Sequence, residues 1–252
     1  MLLICNGMPR SASTWSYNVA ITLLRKNTPA MACKPFAECP ADAECPAEGV
    51  YGGYDENWYR FLRGVPTSCV HAVLKCHSLD AAGLALAQLH GAKVIYTWRD
   101  LADATASYMT VYDVDFEQTI SLMSSSLDLF LHHRSNGALI LSYEAITQRP
   151  AESVAAIASY LNVAARQERV AEIAKANSFG RMRKKLKAAA DGACLASMAS
   201  NSELVLDRLH IRDGSTGYGA GQLNPSQLRR LEELLREKGA LGVAALPVTP
   251  EA

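Results

Sequence analysis

Four short apolar runs, Leu2–Cys5, Cys69–Lys75, Lys93–Trp98 and Ala138–Ser142, alternate along this chain with segments of helical periodicity. Strands this apolar have no face to leave in water. Separated by helices, they must pair in parallel and be covered on both sides. The pattern predicts an α/β fold of P-loop-like, three-layer type, with a central parallel sheet flanked by helices. Helices are expected over about 13–26, 79–90, 101–112, 116–134, 151–161 and 166–187. A last one opens at Pro225 and carries Leu228, Leu231, Leu234 and Leu235 on one face. Residues 28–68, rich in Pro, Gly, Cys and aromatics, and residues 188–201, small and polar, read as irregular loops. A chain of 252 residues, 49% of them hydrophobic, is expected to form one domain over 1–252.

Charge narrows the partners. Twenty-five Lys and Arg balance twenty-five Asp and Glu, so no global field gathers nucleic acid or an anionic membrane, and any anion site must be local. The apolar start, Met1–Cys5, is too short for a signal peptide and no stretch approaches a membrane span, which gives the expectation of a cytoplasmic protein. Seven cysteines with no C-x-x-C pair fit reduced thiols. Among them, Cys39 and Cys45 sit in a tandem copy, Ala37–Asp42 followed by Ala43–Glu48, which reads as a duplicated surface loop.

In parallel sheets ligands collect beyond the carboxyl ends of the strands. There the first strand runs into Gly7-Met8-Pro9-Arg10-Ser11-Ala12-Ser13-Thr14 and then a helix. The free N–H groups and dipole of a helix start attract an anion, and hydroxyls add donors. Ala12-Ser13-Thr14 stands where a nucleoside-triphosphate loop has Gly-Lys-Ser/Thr, so the lysine that reaches β- and γ-phosphates is missing and Arg10 is the loop's only cation. A cation at the crown suits a donor with one phosphate carrying a transferable group.

The segment Pro9-Arg10-Ser11-Ala12-Ser13-Thr14-Trp15 resembles the 5′-phosphosulfate loop of sulfotransferases, which use 3′-phosphoadenosine 5′-phosphosulfate (PAPS). Arg99, Asp103 and Ser107 match the spacing of that family's 3′-phosphate signature, Arg-x-x-x-Asp-x-x-x-Ser. Val73-Leu74-Lys75-Cys76-His77 is similar to its Lys-Thr/Ser-His, and Ala138–Glu144 to its strand ending in Tyr-Glu. Asn177–Met182 resembles its Thr/Ser-Ser-Phe-x-x-Met stretch, and Arg212–Gly217 its Arg-Lys-Gly-x-x-Gly, with Asp213 in the lysine position. The matches run in order along most of the chain.

The resemblance implies roles. Arg10 would contact the transferring sulfuryl group, while Ser11, Ala12, Ser13 and Thr14 hold the 5′-phosphate and Trp15 lies against adenine. Arg99 and Ser107 would read the 3′-phosphate, with Arg212, Asp213 and Gly214 closing over it. Tyr143, Ser178 and Phe179 would meet the base. His77 would be the general base, with Lys75 steadying the acceptor or the charge on sulfonate oxygens. Ala12 replaces the loop's glycine and is expected to keep a negative φ. PAPS is thus the expected co-substrate, with no metal and a small-molecule acceptor. Residues 28–68 and 184–205 would form the walls and lid of the acceptor pocket, with Tyr51, Tyr54, Trp58, Tyr59 and Phe61 as lining candidates, and His210 is held in reserve. Neither nucleic acid nor membrane is an expected partner, and monomer and homodimer both stay open. The rival readings are a nucleotide-binding module without turnover and a small-molecule kinase.

Overall fold

A computed structural model of the chain describes residues 1–25, 50–54, 71–184 and 216–242. Strand β1 (Leu2–Gly7) is the axis of the sheet. Leu3 and Cys5 point to one face and Ile4 to the other, and all three are buried, as the period-two alternation of a doubly covered strand requires. Helix α1 (Ser13–Leu24) follows, then strands β2 (Val50–Tyr54) and β3 (His71–Lys75), helix α2 (Ala81–Leu89) and strand β4 (Lys93–Trp98). Helices α3 (Leu101–Tyr112) and α4 (Phe116–Ser135) lead to strand β5 (Leu139–Ser142). After it come α5 (Tyr143–Gln148), α6 (Pro150–Tyr160), α7 (Gln167–Ala176), α8 (Tyr218–Gln222) and α9 (Pro225–Glu237).

Among the described residues the sheet is five-stranded and parallel, in the order β2-β3-β1-β4-β5. From β1 the chain crosses to the edge strand β2, steps back to β3 beside β1, and then crosses to the other side for β4 and β5. That makes the carboxyl end of β1 a switch point, the place where an open α/β sheet leaves a crevice. Register sets what meets there: Cys5 pairs with Lys75 and Gly7 with Thr97. One apolar cluster joins Leu3, Val73, Ile95 and Leu141 to α1, α6 and α7; the other joins Ile4, Leu74, Tyr96 and Trp98 to α3, α4 and α9. These are the two outer layers.

Local chemistry starts several helices. Asp80, Asp100, Asp115 and Ser142 each accept a first-turn N–H, and Asn224 with Gln227 forms a capping box ahead of Pro225. Two expectations need correction, and one short helix was not anticipated. Val50–Tyr54, inside the segment read as irregular, is an edge strand, because Gly52-Gly53 breaks the apolar alternation that would have revealed it. The helix expected over 166–187 is not continuous: it is interrupted at Asn177, whose side-chain Nδ2 donates to Ile173 O at 2.9 Å, and residues 179–184 are helical again. The glycine-bearing stretch before Pro225 contains the short helix α8.

Candidate functional site

The loop after β1 is shaped by one close approach. A Cβ on Gly7 would fall 2.1 Å from Thr97 Oγ1, so only glycine lets β1 and β4 end this near each other. Thr97 then organises the turn: its carbonyl accepts from Met8 N at 3.0 Å, and its hydroxyl lies 2.7 Å from Ser11 Oγ. Ser11 is fully buried with its hydroxyl against Met8 O and Thr97, so it braces the loop from inside.

Backbone conformation turns the brace into a cradle. Arg10 has φ +67° and Ala12 φ +71°, with Ser11 between them in the ordinary negative region. Alternating signs of φ turn successive N–H groups toward one side, a concavity suited to an anion. The expectation that Ala12 keeps a negative φ is therefore overturned. The chain has to reverse at Ala12, whose carbonyl accepts from Trp15 N and Ser16 N to start α1. No side chain caps that helix start, and its first turn holds no acidic residue. Ser13 and Thr14 stand in that turn, both buried.

Two arginines face the loop. Arg10 Nε donates to Ser107 Oγ at 3.1 Å, joining a residue expected at the sulfuryl group to one expected at the 3′-phosphate. Arg99 reaches the Arg10 carbonyl through Nη1 at 3.4 Å and Asp103 Oδ2 through Nη2 at 3.2 Å. Its guanidinium carbon lies 4.1 Å from the centroid of the Tyr143 ring, and that ring lies 5.9 Å from Phe179. A cation packed on an aromatic face and tied at both ends has little freedom. Glu144, next to Tyr143, has its carboxyl pushed up by burial, an effect that Arg99 partly offsets. Trp15 is buried in the cluster against which Phe179 packs.

The candidate base is joined to the loop directly. His77 Nδ1 lies 2.9 Å from the Gly7 carbonyl, and Nε2 lies 3.1 Å from Lys75 Nζ. A carbonyl only accepts, so Nδ1 carries the proton and Nε2 keeps its lone pair, which takes a hydrogen from the lysine. Lys75 is fully buried, its ammonium turned into the site. The flanking thiols are chemically quiet. Burial pushes Cys76 up to about 12 and Cys5 further up, so both stay protonated.

Register and turn geometry thus bring Arg10, Ser11, Ala12, Ser13, Thr14, Lys75, His77, Arg99, Ser107 and Tyr143 to the ends of β1, β3, β4 and β5. Ser178 stands half-buried just past the end of α7. Arg212, Asp213, Gly214, His210, Trp58, Tyr59 and Phe61 lie outside the described residues, as do the duplicated Ala37–Glu48 segment and most of 28–68 and 184–205. Only the backbone of Tyr51 and Tyr54 is described, in the edge strand. Among the described residues, no three His, Cys, Asp or Glu side chains gather as a metal site, and no helix is long and apolar enough to cross a membrane. The sequence placed Gly7 in the anion loop without a role of its own, gave no sign of Thr97, and gave Asp103 no role beyond its spacing. The signal for Gly7 was its place directly after an apolar strand. For Asp103 the spacing to Arg99 was the whole signal, because its other partners are backbone amides distant in sequence.

A family model described as a sulfotransferase domain matches residues 72–241. No curated protein matches the chain significantly in sequence. Among solved structures, the chain is similar to a mouse sulfotransferase complexed with PAP, with a TM-score of 0.66 and 19% identity over 96% of this chain and 84% of that one. It is also similar to retinol dehydratase in complex with androsterone and the inactive cofactor PAP, with a TM-score of 0.63 and 13% identity over 100% and 83%. A complex of retinol dehydratase with retinol and PAP gives 0.62 and 16% over 99% and 83%. At these identities the likeness speaks for the fold.

Proposed function

The chain belongs to the sulfotransferase family, and on that premise we propose that it moves the sulfuryl group of PAPS onto a hydroxyl or amine of a small-molecule acceptor by in-line displacement, as one domain over 1–252. The observation that carries this reading is the 2.9 Å contact between His77 Nδ1 and the Gly7 carbonyl, which ties the candidate base to the strand end that opens the anion loop.

Each step has a group to perform it. The acceptor oxygen or nitrogen attacks sulfur, its proton passes to His77 Nε2, and the bond from sulfur to the 5′-phosphate oxygen breaks. The electron pair stays on the phosphate, leaving 3′,5′-adenosine bisphosphate (PAP) and the sulfated acceptor. For this the acceptor takes the place of Lys75 at Nε2, and Lys75 turns to the sulfonate oxygens. The Gly7 carbonyl, already accepting from Nδ1–H, stabilises the imidazolium that forms. Arg10 meets the transferring sulfuryl group and the bridging oxygen, where charge develops as the bond breaks, while the amides of the alternating-φ turn and the start of α1 hold the leaving phosphate. Arg99 and Ser107 hold the 3′-phosphate, while Tyr143, Phe179, Trp15 and Ser178 frame the base. Arg212, Asp213 and Gly214 complete the phosphate site, and segments 28–68 and 184–205 form the acceptor pocket. The retinol and androsterone bound by retinol dehydratase make apolar alcohols the first acceptors to try.

Incubation with sulfur-labelled PAPS and a panel of alcohols, phenols and amines, followed by mass spectrometry, tests the reading. A labelled product matched by stoichiometric PAP supports it. Tight PAP binding with no transfer to any acceptor class would instead make the chain a nucleotide-binding module.

A further inference from the structure

A buried carboxylate beside a phosphate site is electrostatically out of place. Asp103 is 1% exposed and lies against Arg99, so an unscreened charge there would repel the group that Arg99 is there to hold. A buried carboxylate also needs donors for its oxygens. Three are present: Gly219 N–H to Oδ1 at 2.7 Å, Gly217 N–H to Oδ2 at 2.8 Å, and Arg99 Nη2 to the same Oδ2 at 3.2 Å. The amides come from a turn that only this sequence permits. Gly217 has φ +79°, and a Cβ on Gly219 would fall 2.3 Å from the Ala102 carbonyl carbon and 2.6 Å from Asp103 N. Asp103 itself sits on a rigid base, the first turn of α3, with its own N–H bonded to Asp100 Oδ1 at 2.9 Å.

We propose that Asp103 is the positioning residue of the phosphate site, at once aiming the guanidinium of Arg99 and fastening the Gly217–Gly219 turn to α3. The inference rests on the assignment of Arg99 and Ser107 to the 3′-phosphate. With its oxygens occupied, Asp103 does not touch the nucleotide; it acts through Arg99. A guanidinium recognises phosphate with a planar fork, so its value depends on direction as well as distance. Tyr143 fixes the plane of the fork and Asp103 fixes its rotation within that plane. Loss of Asp103 should therefore cost affinity for the 3′-phosphate specifically, while the 5′-phosphate and base keep their contacts.

The test is calorimetry with PAP and with 5′-AMP, which lacks the 3′-phosphate, on the wild type, Arg99→Ala, Asp103→Asn and Gly219→Ala. Hydrogen exchange over 216–223 is followed alongside. Asp103→Asn is expected to weaken PAP by about 10–100-fold and AMP by less than about threefold, with faster exchange in the turn. Gly219→Ala attacks the same junction without touching a charge. It should show the same selectivity, and it carries the test if Asp103→Asn does not fold. If the two nucleotides weaken equally, Asp103 is merely structural; if neither weakens and exchange is unchanged, it does not position the site at all. Either result overturns the proposal while a selective loss in Arg99→Ala preserves the phosphate reading. A wild type that does not prefer PAP to AMP removes that reading and the role of Asp103 with it.

Discussion

Replacing Ala12 by glycine should stabilise the protein, against the usual rule that alanine is the better residue. Ala12 is held at φ +71° and ψ 28°, the left-handed region. There an L-residue bears roughly 1–2 kcal/mol of steric cost that glycine escapes. Glycine in turn gives the unfolded chain more freedom, worth about 0.4–1 kcal/mol in the other direction. The balance favours Ala12→Gly by about 0.5–1 kcal/mol, a rise in Tm of roughly 1–4 °C for a domain of this size. The two-branched side chain of Ala12→Val fits that backbone worst and should lower stability by about 2 kcal/mol or more. Urea and thermal unfolding of both variants, with PAP titrated into each, measure this. A destabilised Ala12→Gly, or a neutral Ala12→Val, would refute the left-handed turn and with it the alternating-φ cradle.

Arg10→Ala should lower the turnover rate at saturating PAPS while leaving affinity for the product PAP within a few fold, since Arg10 is assigned to the transferring group; a defect confined to KM would make it a uniform binding contact. Arg99→Ala should weaken PAP by roughly 1.5–3 kcal/mol and 5′-AMP far less, and equal calorimetric losses would sink the 3′-phosphate assignment. His133 is 3% exposed and, among the described residues, its Nε2 has no hydrogen-bond partner; burial lowers its pKa to about 4. Unfolding frees it to bind a proton at its ordinary value near 6.5, so stability is intact above that pH and falls as the pH drops from about 6.5 through 4. The total loss is up to about 3 kcal/mol. Comparing urea midpoints of the wild type and His133→Phe across that range should show part of the acid sensitivity vanish with the imidazole.

What could be read from sequence was whatever local order determines. The runs Leu2–Cys5 and Lys93–Trp98 are strands because apolar side chains dominate them, with Lys93 and Thr97 the polar exceptions, and parallel because helices separate them. Arg10, Arg99 and Ser107 could be expected together, since each follows a strand at the same edge, and Arg10 does reach Ser107. Val50–Tyr54 escaped because its two glycines carry no side chain to show a period. The conformation of Ala12 was misjudged from residue type, because the reversal into α1 overrides the preference of alanine. Asp103 was matched by spacing alone. Its partners Gly217 and Gly219 reach it through backbone amides, which no side-chain pattern encodes.

The central claim is that this site transfers sulfuryl groups with His77 as the base. Single-turnover transfer from labelled PAPS by the wild type and His77→Asn, each with PAP affinity measured in parallel, tests it most directly. Asparagine can still occupy the strand end but cannot take a proton near neutral pH. A folded His77→Asn that binds PAP normally and transfers about 10²–10⁴-fold more slowly is the predicted result. A folded mutant that transfers at nearly the wild-type rate would contradict it and place the base elsewhere.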